Sequence, residues 1–463
     1  MNFPRIVIAG VSSSSGKTTI SSGLTAALAQ RGHKVAAYKC GPDYIDPGYL
    51  TLASNNPCHN LDSWMLSKDA MTEVFFHGLK NRDIALVEGV MGLYDGYGGE
   101  RPGGSTAEIA RLLSAPVILL VNISHMAESA AAIVLGYKNL DPRINIAGVI
   151  LNQAGSTRHY EICRKAIEKY ASTPVIGYLL RNKDLVIPER HLGLKTTSEG
   201  GELETFIQNL ATRIENTIDI DRILEIARNA PPLPEKPLPC LFPETPACPV
   251  TRIAVAKDEA FSFYYQANLD MLSDWGAELC YFSPVHDTCL PPDIGGIYIG
   301  GGFPEIMAAE LSANQPMKDT LTKAAADGMP IYAECGGLMY LSEAIEDFDS
   351  TKYLMLGLLP GISVMQKKLH RLGYTRAAVQ NDNILSAKGT ELRGHIFHWS
   401  KLPSPQTKPA YTLLEPAEFV GQNEGFIIGG STNVLASYLH LHFGTNPDLA
   451  KNFIRISKDF CTI

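Results

Sequence analysis

The ten residues "GVSSSSGKTT", Gly10 to Thr19, lie between the apolar run "RIVIA" and the helix-forming "ISSGLTAALAQRG". A buried-type strand that turns through small residues into a helix leaves unpaired backbone N–H groups at the helix start. The helix dipole adds partial positive charge there, so the turn suits a phosphate. Gly16 lets the backbone approach a phosphate closely, Lys17 reaches the outer phosphates, and the Thr18 hydroxyl suits Mg²⁺. Ser15 and Thr19 complete the loop. The strict pattern wants its first glycine four residues before the Gly-Lys pair, and here Gly10 lies one residue further back, so the loop is a lengthened variant. A serine-rich turn that merely caps a helix is the alternative. The strand–loop–helix context favours a nucleotide.

A nucleotide's metal needs carboxylates. "IALVEG" ends in Glu88 at the carboxyl edge of the expected sheet, where such sheets bind ligands. "YKCGPDYIDPGY" puts Asp43 and Asp46 just past another strand end. Glu88 is the preferred Mg²⁺ ligand beside Thr18, with Asp43 second; turn chemistry is the competing explanation for Asp43 and Asp46. Asn152, closing "GVILNQ", is placed to read the nucleotide base or to make a turn.

The chain has 463 residues, too many for one ordinary core, so two domains of roughly 200 residues are expected. "NAPPLPEKPLPCLFPETPACPV", residues 229–250, is crowded with proline and reads as an extended linker between domains 1–228 and 251–463. Both sides alternate short apolar runs with helical stretches, which predicts parallel sheets covered on both faces. The fold class is therefore α/β: a P-loop parallel-sheet domain followed by a second α/β domain. The formal net charge of -8 argues against a general nucleic-acid binder. No apolar run is long enough to span a bilayer, and no cleavable leader precedes the first strand. Nine singly spaced cysteines without C-x-x-C pairs fit reduced thiols in a cytoplasm.

One cysteine stands apart. In "PIYAECGGLMYL" a strand ends at Glu334, Cys335 follows, and Gly336-Gly337 open a helix. That is the form of a nucleophile elbow, and a helix N-terminus beside the sulfur favours thiolate. "LASYLHLHFGTNP" supplies His440 and His442 on one expected strand face, with His440 as base. The glycines of "YIGGGFPE", including Gly301 and Gly302, offer N–H donors to an oxyanion. A Cys–His pair performs acyl transfer and releases ammonia from glutamine. A nucleotide site with Mg²⁺ activates a carboxylate as an acyl phosphate. Together they point to an ATP-driven amidation with L-glutamine as nitrogen source.

"YKCGPDYIDPGYL", "HNLDSWML", "VEGVMGLYDG", "RNKDLVIPERHLGL", "IGGGFPE", "YAECGGLMYL", "HRLGYTR", "RGHIFHWS" and "SYLHLHF" run in one order over nearly the whole chain. In them the chain resembles the cobyrinate a,c-diamide synthase family. The resemblance implies an N-terminal half similar to dethiobiotin synthetase and a C-terminal half similar to class I glutamine amidotransferases. It implies ATP, Mg²⁺, glutamine and a corrinoid tetrapyrrole whose a and c acetates are amidated in turn, with Cys335 as nucleophile and His440 as base. Class I amidotransferases commonly carry Glu two residues after that histidine; here His442 stands there, so no third triad member is assigned. By the same resemblance Asp43, Tyr44 and Asp46 are candidates to handle the tetrapyrrole, and Arg371, Arg393 and His395 to pair with its carboxylates. A homodimer is compatible with it. Two positions depart from the pattern: Ile396 stands where the family usually has Glu, and Leu180 where it often has proline. The rivals are a Ni-sirohydrochlorin a,c-diamide synthase and, from another class, a partitioning-type ATPase switch. The latter carries an extra lysine early in its loop, absent here, and often a terminal amphipathic helix; this C-terminus reads as only mildly amphipathic.

Overall fold

A computed structural model describes residues 2–97, 103–182, 189–190, 193–194, 202–233, 235–403, 407–428 and 433–462. Most of the "RNKDLVIPERHLGL" motif lies outside them. The chain forms two compact units, Met1–Leu238 and Pro239–Ile463. Between Arg228 and Thr251 the described residues form neither helix nor strand. Each side of this proline-rich stretch is pinned to its own unit. The buried Arg5 guanidinium donates to Pro231 O at 2.5 Å, and Trp275 Nε1 donates to Leu241 O at 2.7 Å.

The first unit is a parallel sheet of β1 (Arg5–Gly10), β2 (Val35–Cys40), β3 (His59–Leu61), β4 (Ile84–Gly92), β5 (Val117–Asn122), β6 (Ile146–Ala154) and β7 (Val175–Leu180). Their spatial order is β3-β2-β4-β1-β5-β6-β7. β1 is buried along its whole length, as its unbroken apolar run requires. Connecting helices are α1 (Lys17–Gln30), α2 (Asp46–Ser54), α3 (Lys68–Gly78), α4 (Thr106–Leu112), α5 (Ser129–Leu140) and α6 (Thr157–Ala171). After the short strands β8 (Glu189–Arg190) and β9 (Gly193–Leu194) come α7 (Glu202–Thr217) and α8 (Ile220–Arg228). Leu24 of α1, Leu210 and Ile214 of α7 and Ile223 of α8 bury themselves with Ile6 and Ile8 in one cluster. Each such side chain contributes roughly 1.5–3 kcal/mol. This core fixes the sheet's carboxyl edge, where Gly10, Lys39 and Glu88 emerge. Glu88 is paired in register with Ile8 on one side and Lys39 on the other.

The second unit begins as expected, with β10 (Thr251–Ala256), α9 (Gln266–Asp274), β11 (Ala277–Phe282), β12 (Gly296–Ile299), α10 (Ala308–Ala313), α11 (Gln315–Ala326), β13 (Ile331–Glu334) and α12 (Gly336–Leu341). A side sheet of β14 (Ser342–Glu346), β15 (Lys352–Leu354), β16 (Leu359–Met365) and β19 (Ser400–Lys401) follows. The main sheet continues through β17 (Arg371–Val379), β18 (Glu391–His398), β20 (Lys408–Leu413), β21 (Asn423–Ile428), β22 (Val434–Ser437) and β23 (Leu439–Leu441). It is parallel from β11 to β22 and antiparallel beyond. The antiparallel half departs from the expected all-parallel sheet. Its strands are covered unevenly, as in β17, where buried and partly exposed residues alternate.

The C-terminal helix α13 (Asp448–Cys461) is more two-sided than its sequence suggested. Leu449, Phe453 and Ile454 are buried, and the helix packs on β10 and β12 of its own unit. Among the described residues no helix is long and apolar enough to cross a membrane.

Candidate active site

The phosphate loop is held open by its own small residues. Gly16, the residue before α1, has φ 90°, a left-handed conformation that glycine adopts freely. A Cβ there would meet Asn152 Nδ2 at 2.1 Å, and one on Gly10 would meet Ser15 Oγ at 2.0 Å. Ser15 Oγ donates to Ser12 O at 2.8 Å, closing the longer loop on itself. Lys17 folds back to donate to Ser12 O at 3.1 Å and Met91 O at 2.6 Å, which parks its ammonium at the mouth of the loop. Burial, then the charge of Lys39, lowers its pKa to about 8. A cavity of about 400 Å³ opens here, lined by Thr18, Thr19, Lys39, Asp43, Asp46 and Asn152 among others.

Thr18 Oγ1 donates to Glu88 Oε1 at 2.9 Å, bringing the two expected metal ligands together. Lys39, which sequence reasoning missed, sits among the acids. Its Nζ is 2.5 Å from Asp46 Oδ2 and 2.8 Å from Glu88 Oε1. Burial alone would lower Lys39; the charges of Asp46, Glu88 and Asp43 outweigh it and hold the ammonium charged. Its sequence signal was a lysine closing the apolar run "VAAYK". Burial pushes Glu88 up to about 7, against the pull of Lys39. Asp46 stays below the ordinary carboxylate range, because Lys39 overcomes the effect of burial.

Asp43 lines the same cavity and also shapes the backbone beside it. Its Oδ1 accepts from Ile45 N at 2.8 Å and Asp46 N at 2.9 Å, so that oxygen is spent on the turn into α2. Burial, then the charge of Asp46, raises Asp43 to about 6. Tyr44 is half-buried on the same turn.

The residues present fit a divalent cation. Glu88 Oε2 is buried without a hydrogen-bond partner among the described residues, and Thr18 and Asp46 add hard oxygen donors beside it. Thr18, Glu88 and Asp46 would hold Mg²⁺, which when bound offsets phosphate charge. A carboxyl that titrates near neutrality has a readable consequence, because the protonated form is a poor ligand. The apparent KM for Mg²⁺ is expected to rise as pH falls through about 7, and to be high and flat in Glu88→Gln. Initial rates over a Mg²⁺ series at each pH check this.

Asn152 lies against the phosphate loop. Its Nδ2 donates to Ser15 O at 2.9 Å, and its Oδ1 accepts from Gln153 N at 2.8 Å, so both ends of the amide are engaged. It braces the loop from β6 at the cavity wall. Asn152→Ala is expected to raise the apparent KM for ATP by up to about tenfold, the worth of one such hydrogen bond. The preference for ATP over GTP is expected to stay unchanged; a changed preference would return Asn152 to base reading.

In the second unit Cys335 has φ 47° and ψ -98°, a strained backbone for a non-glycine residue, directly before α12. Its N–H donates to Ser437 O at 2.7 Å, tying the elbow to β22, three residues before His440. Its Sγ donates to Phe397 O at 3.5 Å. Burial, then the charges of Glu305 and Glu334, pushes the thiol well above its ordinary range; the Gly336 N–H opposes this. Burial thus opposes the thiolate that the helix N-terminus was expected to favour.

The glycine loop packs against this elbow. A Cβ on Gly301 would meet His440 Cε1 at 2.7 Å, and one on Gly336 would meet Gly302 N at 3.0 Å. The Gly301 N–H donates to Phe263 O at 3.3 Å. Gly302 has φ 156°, and a Cβ there would strike Ala260 O at 2.0 Å. His440 is fully buried on β23, opposite His395 of β18. His442 lies just beyond that strand: its Nδ1 accepts from Gly444 N at 3.0 Å and its ring lies 4.9 Å from that of Tyr265. The two histidines thus do not share one strand face.

Residues 6–194 match a family model described as the CobQ/CobB/MinD/ParA nucleotide binding domain. Residues 252–448 match one described as the CobB/CobQ-like glutamine amidotransferase domain. A protein of Dehalococcoides mccartyi named cobyrinate a,c-diamide synthase is 90% identical over 463 residues, all of both chains. The chain belongs to the cobyrinate a,c-diamide synthase family. Relatives of that name from Priestia megaterium (42% identity, 99% of this chain and 98% of the relative) and Methanosarcina acetivorans (41%, 99% and 96%) are also similar over their whole lengths.

Within this member of the cobyrinate a,c-diamide synthase family, the basic residues expected to meet tetrapyrrole carboxylates lie in the glutamine amidotransferase unit. Arg371 stacks on Phe419 at 3.7 Å and faces Glu424 at 4.0 Å. Arg393 is half-buried on β18, and its backbone N–H donates to Thr445 Oγ1 at 3.4 Å. Burial, then the charge of His440, lowers His395 to about 3, which makes it a neutral imidazole and not the expected cation. Ile396 is buried opposite Leu439, an apolar site that explains how this chain carries no carboxyl there. Leu180, at the end of β7, is 43% exposed, so the backbone accepts it without proline.

Proposed function

We propose that this chain amidates the a and c acetate carboxylates of cobyrinate, using ATP, Mg²⁺ and the amide nitrogen of L-glutamine. The observation that carries the reading is the pairing, in one chain, of a Thr18–Glu88–Lys39 phosphate-loop site with a strained Cys335 elbow whose preceding residue, Glu334, lies 3.6 Å from His440. The full-length similarity to relatives named for this reaction supports it.

In the second unit His440 takes the Cys335 proton as glutamine binds, and the thiolate attacks the amide carbonyl. The Gly302 N–H stabilises the oxyanion, the thioester forms, and His440 returns the proton to the leaving ammonia. Water then frees glutamate. In the first unit Lys17 and the loop N–H groups hold the nucleotide while a ring carboxylate attacks the γ-phosphoryl group, the bond to the β-phosphate breaks and ADP leaves. Ammonia displaces phosphate from the resulting acyl phosphate. Lys39 keeps Asp46 ionised and holds Glu88 at the same ammonium. Asp43, Tyr44 and Asp46, on the turn at the cavity wall, are proposed to meet the tetrapyrrole.

Mass spectrometry of products tests the substrate. With cobyrinate and Ni-sirohydrochlorin offered in parallel, the reading expects cobyrinate to become a diamide and the nickel compound to react little. Preference for the nickel compound would move the enzyme to the other tetrapyrrole with every site residue unchanged. ATP hydrolysis without amidation of either would favour the partitioning-type switch, in which a Cys335 elbow has no task.

A further inference from the structure

The place two residues after the catalytic histidine is taken by His442, and His442 turns away to accept from Gly444 N and pack on Tyr265. What orients His440 must come from elsewhere. His440 Nδ1 lies 3.6 Å from Oε2 of Glu334, the residue immediately before Cys335. Glu334 ends β13 and is 2% exposed. Its carboxylate is fixed from three sides: Tyr332 OH and Leu441 N (3.1 Å) donate to Oε1, and Tyr298 OH (3.2 Å) donates to Oε2. Leu441 follows His440 in β23, so one carboxylate holds both the strand and the ring it presents. Burial, then the Glu334 charge, raises both tyrosines far above the ordinary range, so they remain donors at working pH. Besides Glu334, His440 is faced by His395 and influences His398, both of β18 and both held neutral by burial.

We propose that Glu334 is the positioning residue of the glutamine-hydrolysing site, a third triad member supplied from the position before the nucleophile. It holds His440 with Nδ1 protonated and Nε2 directed to the Cys335 proton, and it offsets the imidazolium that forms when that proton is taken. A carboxylate on the nucleophile's own strand thus does the work that other class I sites draw from beyond the histidine. This inference rests on Cys335 being the glutaminase nucleophile.

The test is glutaminase kinetics of the full chain across pH for Glu334→Gln and Glu334→Asp, with ammonium-dependent amidation measured in parallel. Glu334→Gln is expected to lower kcat about a hundredfold or more, with KM for glutamine little changed. Glu334→Gln removes the counter-charge to the imidazolium formed in turnover, so the acid limb of kcat/KM is expected to move to lower pH. Ammonium-dependent amidation stays at the wild-type level. Glu334→Asp keeps the charge and is expected to keep the acid limb near its wild-type position with a smaller fall in kcat. A Glu334→Gln enzyme with unchanged kcat and acid limb overturns the proposal. If that variant loses the ammonium route as well, Glu334→Asp decides: a reduced kcat with a wild-type limb supports the role, and an unchanged kcat overturns it. Glutamine activity surviving in Cys335→Ala would overturn the nucleophile reading itself, and the proposal with it.

Discussion

Cys335→Ala is expected to lower glutamine-dependent amidation by at least about a thousandfold, the scale on which nucleophile removal acts. Amidation with ammonium chloride should survive at the wild-type level. The asymmetry follows from where the residue sits. Cys335 belongs to the elbow between β13 and α12, its N–H tied to Ser437 O. Alanine keeps the backbone, so the strained φ of 47° and the glycine loop around it are retained. Only the sulfur is lost, and with it the thioester. The buried thiol also predicts how the native enzyme behaves. Its raised pKa makes it slow to alkylate at neutral pH when no glutamine is bound. Steady-state rates with each nitrogen source measure the effect, and a Cys335→Ala enzyme with full glutamine activity would remove the nucleophile assignment.

Lys17→Ala is expected to abolish both nitrogen routes, with kcat down about a hundredfold to a thousandfold, comparable to removing one preorganised charge donor from a transition state. Lys17 is 8% exposed, and its ammonium waits on Ser12 O and Met91 O at the loop mouth. Moving from two neutral carbonyls to phosphate oxygens restores the charge interaction that burial withheld. Lys39 cannot substitute, because Asp46 and Glu88 already bind its ammonium. Ammonium-dependent amidation that persists in Lys17→Ala would contradict carboxylate activation at this loop. The glutaminase half-reaction, assayed alone, is expected to continue.

Local patterns were legible in the sequence, and long-range pairings were not. The phosphate loop could be read because strand, loop and helix are consecutive, so Gly16, Lys17 and Thr18 announce themselves by spacing. The Cys335 elbow could be read for the same reason. Lys39 escaped because a charge in an apolar strand run carries no sign of its partners; Glu88, opposite it in register, lies in another strand. Glu334 was visible as a strand end, but its pairing with His440 joins β13 to β23 through topology that spacing does not encode. The antiparallel half of the second sheet was hidden likewise, since its strands carry only a weak alternating pattern. Asn152 was legible as a strand end at the site, but its contact with Ser15 O joins β6 to the loop across 137 residues, which spacing does not encode.

The central claim is that the phosphate loop turns a ring carboxylate into an acyl phosphate which ammonia from glutamine then displaces. Cobyrinate labelled with ¹⁸O in its a and c carboxylates, incubated with ATP, Mg²⁺ and glutamine, tests it most directly. The account predicts that each amide formed sends one ¹⁸O into inorganic phosphate, read by mass spectrometry. Amides formed with phosphate free of the label would contradict it.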